Sequence, residues 1–193
     1  HWLVEQLYPG TPAEIAYKRI ASEAATSTVG AQGLMLLPHF EGAAAPYWEP
    51  TARGMLYNLS LGTTRGDIAR ATLEGICLEI ADNLAVLEEI AEPVHTLRAA
   101  GGLSRLALFT RILADATDKE IRLHASTQAS ALGAAISCLV SRGLCPSYAE
   151  AIRRIGATDT RILVPRQDNV HRYRRLLQLK RKLFFGLQSA AHM

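Results

Sequence analysis

Cysteine is scarce and carries no pattern. The chain holds three, Cys77, Cys138 and Cys145, with no C-x-x-C spacing. An odd set of this kind reads as reduced thiols in a cytosolic protein, not as a disulfide framework or a zinc ribbon. Cys77 and Cys138 lie in apolar helical runs and are expected in the core. Long apolar runs are missing as well. The most apolar stretch, Ala129 to Val140, is too short for a bilayer and is built from small residues, so no membrane association is expected. The first residues lack a basic segment followed by an apolar block, so no signal peptide is expected in them. They also lack Met, and a processed or truncated piece is expected. No GxxxxGK[ST], HExxH or GxSxG occurs, and the six histidines show no i, i+4 pairing. P-loop, zincin and α/β-hydrolase chemistries are thereby set aside, and no pair of catalytic carboxylates stands out.

What is present is a globular composition. A chain of 193 residues makes one large domain or two small ones. Apolar residues are 49% and charged residues 20%, enough to build a core and too apolar for disorder. Charge is uneven. From Arg161 onward, eight Lys and Arg face one acid, Asp168, a surplus of +7 that leaves −4 for the preceding residues of a chain with net charge +3. Aromatics are thin in this tail and no nucleic-acid motif accompanies it, so it reads as a solvated helix face without a nucleic-acid partner.

Periodicity supplies the elements. Trp2 to Ala25 suggests a helix interrupted at Pro9-Gly10 and resumed with Thr11 as N-cap and Pro12 in the first turn. The apolar run Leu34–Leu37 predicts a buried strand, and Met55, Tyr57, Leu59 and Leu61 alternate as a second. Thr64-x-x-Asp67 resembles a capping box and opens a long helix, which Pro93 ends. Its apolar stripe is Ala69, Leu73, Ile76, Ile80, Leu84 and Leu87. Thr96 to Ala100 is a short strand, followed by a helix carrying Leu106, Phe109, Leu113 and Ala116. Ile121 and Leu123 lie in a further strand. Ala129 to Ser141 is a helix with Leu132, Ile136 and Leu139 as its stripe, where Gly133-Ala134-Ala135 leaves room for a close neighbour. The last helix, Asn169 to Leu187, turns Val170, Tyr173, Leu177, Phe184 and Leu187 inward. The alternation implies α/β architecture with parallel strands and helical crossovers.

Gly101-Gly102-Leu103-Ser104 sits between a strand and a helix. Such a pair admits a flat ligand to the backbone at the carboxyl end of a strand. It equally suits a tight turn without a ligand, and the residues alone favour the turn. Glu74 interrupts an apolar stretch near Arg70, as an i, i+4 ion pair would. Asp115 and Asp118 close a helix and are expected to be exposed. His39, between Pro38 and Phe40, reads as structural or surface. The stiff segment Pro46-Tyr47-Trp48-Glu49-Pro50-Thr51-Ala52-Arg53-Gly54 reads as an ordered loop packed by its own aromatics.

Gly42-Ala43-Ala44-Ala45-Pro46-Tyr47-Trp48-Glu49-Pro50-Thr51-Ala52-Arg53-Gly54 resembles a motif of the FGGY carbohydrate kinases. The similarity continues through Arg70-Ala71-Thr72-Leu73-Glu74-Gly75-Ile76, Ala100-Gly101-Gly102, Leu113-Ala114-Asp115 and Ala131-Leu132-Gly133-Ala134-Ala135. Five blocks in order, with matching gaps, cover nearly the whole chain. The resemblance implies a ribonuclease-H-like, actin-like ATPase fold, with a mixed sheet flanked by helices and lacking its first strands. It further implies that residues 1–193 are the carboxyl-terminal, nucleotide-binding lobe alone. In the family the amino-terminal lobe supplies the sugar site, the first phosphate loop and the aspartate that acts as base.

The complete enzyme is then expected to move the γ-phosphoryl group of ATP, with Mg2+, to a hydroxyl of glycerol, xylulose or a similar sugar or polyol in the cytoplasm. By position, Gly101, Gly102 and Leu103 match the adenine loop. His1 falls near the ribose. The expected nucleotide contacts are Gly101, Gly102, Leu103, Ser104, Leu106 and His1. Two positions depart from the family. Leu106 stands where a polar residue usually helps hold the base, and Arg111 where Gln is common. The piece alone is expected to bind ATP weakly and catalyse nothing. An open sheet edge would make it pair with a second copy or with its other half. A non-catalytic interaction or self-association module on the same fold is the alternative, which Leu106 favours.

Overall fold

The computed structural model describes residues 2–124, 128–155 and 159–191, with backbone alone at 159–160 and 187–191. Helix α1 spans Trp2–Leu7 and α2 spans Ala13–Thr26. The chain breaks between them because Gly10 takes φ +73°, a conformation that costs glycine nothing. Pro12, not Thr11, is the N-cap of α2, and its carbonyl receives the N–H groups of Ile15 and Ala16. Ala16, Ile20 and Ala24 repeat every fourth residue and form the buried face.

The central post is α3, Arg65–Ile90, which packs against α2, the later helices Ala107–Thr117 and Gln167–Ala191, and the first strand. Its capping box closes as the sequence implies. Thr64 Oγ1 accepts the Asp67 N–H at 3.2 Å, and Asp67 Oδ2 accepts the Thr64 N–H at 2.9 Å. Two glycines set the closeness of the packing. A Cβ at Gly66 would lie 2.6 Å from the carbonyl oxygen of Glu23 in α2. One at Gly75 would lie 2.3 Å from that of Leu36. The neighbours therefore meet the backbone of α3 itself. The expected stripe holds at Ala69, Leu73 and Leu84, but Ile80 and Leu87 are exposed.

Strands β1, Met35–Leu37, and β2, Met55–Tyr57, form an antiparallel pair of their own, with Leu36 opposite Leu56. All of β1 is buried. The alternation expected to continue through Leu59 and Leu61 stops at Asn58, whose φ of +67° ends the extended run. Both leucines are exposed.

A second sheet has the order β3-β4-β5: β3 is Thr96–Ala99, β4 Glu120–His124 and β5 Asp159–Leu163. β3 and β4 are parallel, joined by α4, Ala107–Thr117, as a parallel pair requires. β5 runs antiparallel to β4. The sheet is therefore mixed, as the family resemblance implies, and only β3 and β4 are the parallel pair with a helical crossover that the alternation of elements suggests. β5 carries only Ile162 and Leu163 as apolar residues, so its strand character comes from pairing with β4. Between β4 and β5 lie α5, Ala129–Ser141, and α6, Tyr148–Ile155. α5 packs on α6 and buries none of its residues, so Leu132, Ile136 and Leu139 are only half-buried. A Cβ at Gly133 would meet nothing within 4 Å, so no described neighbour uses its small-residue face. Cys138 is exposed, against expectation, while Cys77 and Cys145 are buried.

α7, Gln167–Ala191, returns across α3 and α4 and buries Val170, Tyr173 and Phe184. Leu187 lies outside the described side chains. No helix among the described residues is long and apolar enough to cross a membrane.

The acids and bases pair within the molecule. Asp115 is 1% exposed, not solvated, and Arg166 binds it at 2.7 Å. Arg174 meets Asp118 at 2.7 Å, and Lys180 and Arg181 both reach Asp82. The basic tail is therefore not simply a solvated face: it neutralises the acidic body, and Lys180 is buried.

Candidate functional site

At the carboxyl end of β3 the chain makes a turn before α4. Gly101 has φ +94°, a value L side chains rarely adopt. Ser104 Oγ donates to the Gly101 carbonyl at 2.7 Å, and Leu106 N–H to that of Leu103 at 3.0 Å. Leu103–Arg105 form one tight helical turn. The geometry separates the roles of the two glycines. Gly101 is required by its backbone. Gly102 has ordinary right-handed helical angles, φ −60° and ψ −48°, which any residue adopts. A Cβ on either would meet nothing within 4 Å. The turn faces open space, and neither packing nor backbone accounts for the bare Gly102.

Leu103 is 45% exposed beside this opening. Leu106 is the N-cap of α4, where its side chain caps nothing and instead packs, half-buried, on the core. Gly101, Gly102, Leu103, Ser104 and Leu106 are thus brought together in one turn, while His1 lies outside the described residues. Arg111, the other departure, donates to the Val164 carbonyl at 2.6 Å and ties α4 to the end of β5. A cavity of about 460 Å³ opens elsewhere, between the end of α2 and the start of α3, and none of the expected contacts lines it.

The turn offers room for a flat group against bare backbone, at the start of an 11-residue helix whose first N–H groups lack a side-chain cap. An opening of this kind admits a flat ligand to the backbone. For a divalent cation the described residues hold no group of three His, Cys, Asp or Glu, so no residue is assigned to Mg2+.

Sequence reasoning missed two buried polar clusters around α3. In one, Glu74 Oε1 binds Arg70 Nε at 2.7 Å, accepts the Tyr173 hydroxyl at 2.9 Å and takes the Gly30 N–H at 3.1 Å. The expected Arg70–Glu74 pair is present, but it is a core junction. Burial pushes the Tyr173 hydroxyl well above the usual phenol range, helped by the Glu74 charge. In the other, the Asp82 carboxylate is fully buried and receives Tyr47, Lys180 and Arg181 at 2.6 to 2.7 Å. Burial works to raise its pKa, but the bonds from Lys180 and Tyr47 outweigh it and hold the carboxyl below the usual range. The spacing of Glu74, Leu78 and Asp82 along one face of α3 was the available signal. The aromatic loop is anchored outward as well as by itself: Tyr47 stacks on Phe184 of α7 at 4.5 Å, and Trp48 is 76% exposed.

Residues 1–142 match the C-terminal domain of the FGGY family of carbohydrate kinases. A gluconokinase of Bacillus licheniformis is 30% identical over 78% of this chain and 29% of its own length. A glycerol kinase of Dechloromonas aromatica is 38% identical over 65% of this chain and 25% of its own. Among solved structures, a xylulose kinase from Rhodospirillum rubrum superposes with a TM-score of 0.85 at 29% identity, covering all of this chain and 38% of that one. A Plasmodium falciparum glycerol kinase with ADP matches in fold, with a TM-score of 0.73 at 21% identity over 93% of this chain and 35% of that one. The chain therefore spans a quarter to two fifths of the proteins it matches. It has the actin-like ATPase fold of these sugar kinases and belongs to the FGGY family of carbohydrate kinases, whose C-terminal domain it carries.

Proposed function

We propose that residues 1–193 are the nucleotide-binding lobe of a carbohydrate kinase that transfers the γ-phosphoryl group of ATP to a hydroxyl of a sugar or polyol, glycerol- or xylulose-like. One observation carries this reading: Gly102 is bare without a backbone or packing reason, beside open space at the end of β3. The base lies across Gly101 and Gly102, with Leu103, Ser104 and Leu106 around it and His1 toward the ribose. The Plasmodium falciparum relative described with ADP supports a purine as the ligand.

Phosphoryl transfer depends on positioning and on charge stabilisation around the transferred group. When bound, ATP with Mg2+ supplies that group. The residues of this lobe hold the base and orient the nucleotide. By the family resemblance, the general base, the first phosphate loop and the substrate hydroxyl belong to the other lobe. The lobe alone therefore binds ATP or ADP weakly and turns nothing over. In the cytoplasm it works against its other half. Alone, it pairs with a second copy through the open edge of the sheet.

Calorimetric titration with ATP and ADP tests the reading. Saturable binding that Gly102→Trp abolishes is expected, with unchanged far-UV circular dichroism. A coupled assay with glycerol is expected to stay flat. Absence of any binding removes the nucleotide assignment, and turnover by the lobe alone removes the division of labour.

The half-buried, apolar Leu106 favours a second reading, a non-catalytic module that associates with a partner or with itself on the same fold. Flat nucleotide titrations together with concentration-dependent dimerisation are its signature.

A further inference from the structure

His39 sits at the start of the loop that joins β1 to β2, with only 4% of its side chain exposed. Its Nε2 is buried and makes no hydrogen bond. That atom faces Glu79 Oε2 of α3 at 3.7 Å, too far for a hydrogen bond. Lys180 of α7 stands 2.7 Å from the same Glu79 oxygen, as an ion pair without hydrogen-bond alignment, and 2.6 Å from Asp82 Oδ2. Arg181 completes the set at 2.7 Å from Asp82 Oδ1. The ring of Phe184 lies edge-on to the imidazole at 5.0 Å and stacks on Tyr47, whose hydroxyl also binds Asp82. Three elements meet here: the loop through His39 and Tyr47, α3 through Glu79 and Asp82, and α7 through Lys180, Arg181 and Phe184.

The charges already balance. Two carboxylates face two cations, and each carboxylate has a cation within 2.7 Å. A protonated His39 adds a fifth charge to a cluster in which its own side chain, Lys180 and Asp82 are buried and only Glu79 and Arg181 keep partial exposure. Its distance from Glu79 gives little back, and Lys180 repels it. Burying an unmatched charge costs more than a bond of that length returns. A neutral imidazole fits the site and an imidazolium does not.

We propose that His39 is an acid-sensitive latch: a second proton on its ring releases the loop of residues 38–54 and the end of α7 from α3. Burial, first, and the Lys180 charge hold its pKa below the ordinary histidine value of 6.5, against the pull of Glu79 and Asp82. The docked state therefore binds fewer protons than the released one. Docking is at full strength above 6.5 and weakens as pH falls through that value toward the depressed one. The inference rests on packing and charge, independently of any nucleotide.

Both tryptophans report on the loop. Trp48 is within it, and Trp2 lies tilted against Phe40 with ring centroids 4.9 Å apart. Intrinsic fluorescence of the chain, followed from pH 8 to pH 5, is expected to change reversibly along a one-proton curve centred below 6.5, with steady far-UV circular dichroism. His39→Gln is expected to remove the change. Glu79→Gln, at a partly exposed site, is expected to move the midpoint to lower pH by removing the acid that favours the proton. Hydrogen exchange of the wild-type chain supplies a readout that needs no variant: amides of 38–54 and 180–186 gain exchange together below the midpoint, after correction for intrinsic rates. Emission flat down to pH 5, or the same curve in wild type and Glu79→Gln, overturns the latch.

Discussion

Asp115 and Arg166 are locked together from two directions. Asp115 Oδ1 accepts the backbone N–H of Arg166 at 2.8 Å, while Oδ2 takes its guanidinium at 2.7 Å and the Asn169 amide at 2.8 Å. One carboxylate, on the last turn of α4, thus caps the first turn of α7. An acid at the start of a helix satisfies N–H groups that otherwise lack partners and sits favourably in the helix dipole.

The first prediction concerns this carboxylate. Asp115→Ala removes the acceptor of the Arg166 N–H and of the Asn169 amide at a part-buried joint. A loss of about 1.5–3 kcal/mol is expected from urea denaturation, the range for a hydrogen bond to a charged group. Asp115→Asn is expected to lose less. A cost within experimental error for the alanine variant removes Asp115 from the joint.

The glycines of α3 and α5 are expected to respond with opposite sign. Gly75→Ala drives a methyl to 2.3 Å from the Leu36 carbonyl, a backbone atom that cannot swing away. A cost of about 1–3 kcal/mol or more is expected, larger than the gain of about 1 kcal/mol in helix propensity. Gly133→Ala meets nothing within 4 Å and keeps only that gain. Thermal melts of the two variants should move in opposite directions.

The capping box of α3 makes stability depend on acid pH. The Ser27 hydroxyl, at 2.6 Å, and the Thr64 N–H hold the Asp67 carboxyl below the usual carboxylate range against its burial. The folded state therefore gives up this proton more readily than the unfolded one. Its contribution is present above the ordinary value of about 3.9 and is lost as pH falls through the depressed folded value. Ser27→Ala removes the strongest of these bonds. Its destabilisation, from denaturation at several pH values, is expected to be largest near neutrality and to shrink in acid. A cost independent of pH counts against the assignment.

Cations of the tail are not equivalent. Lys180→Ala leaves the buried Asp82 short of a partner, and a loss of about 3–5 kcal/mol is expected. Lys182 is exposed, and Lys182→Ala is expected to stay within about 0.5 kcal/mol of wild type. Equal effects at the two positions contradict the pairing.

Local chemistry explains which parts of this fold were readable in advance. Thr64 and Asp67 form their capping box within four residues, so the start of α3 needs no distant partner. The same holds for the break at Gly10 and for the buried run of β1. By contrast, β5 exists because β4 offers it a ladder, and residues 159–163 carry little strand character of their own. The expected burial of α5 failed for a related reason: an apolar stripe states which face seeks a partner, and among the described residues α6 packs beside it without burying it. Asp115 was misread because a carboxylate at a helix end is usually solvated. The Arg166 and Asn169 that enclose it lie some fifty positions later.

Residue order by itself determined the family, the extent of most helices and the glycine turn after β3, because each depends on neighbours within a few positions. Folding in three dimensions decided the rest: which charges are buried, that Lys180 is a core residue, that Gly101 bends the chain at positive φ while Gly102 keeps ordinary helical angles. Charge pairing, close backbone approach and solvent exclusion act through space, and only the assembled chain brings α3, α7 and the aromatic loop within reach of one another.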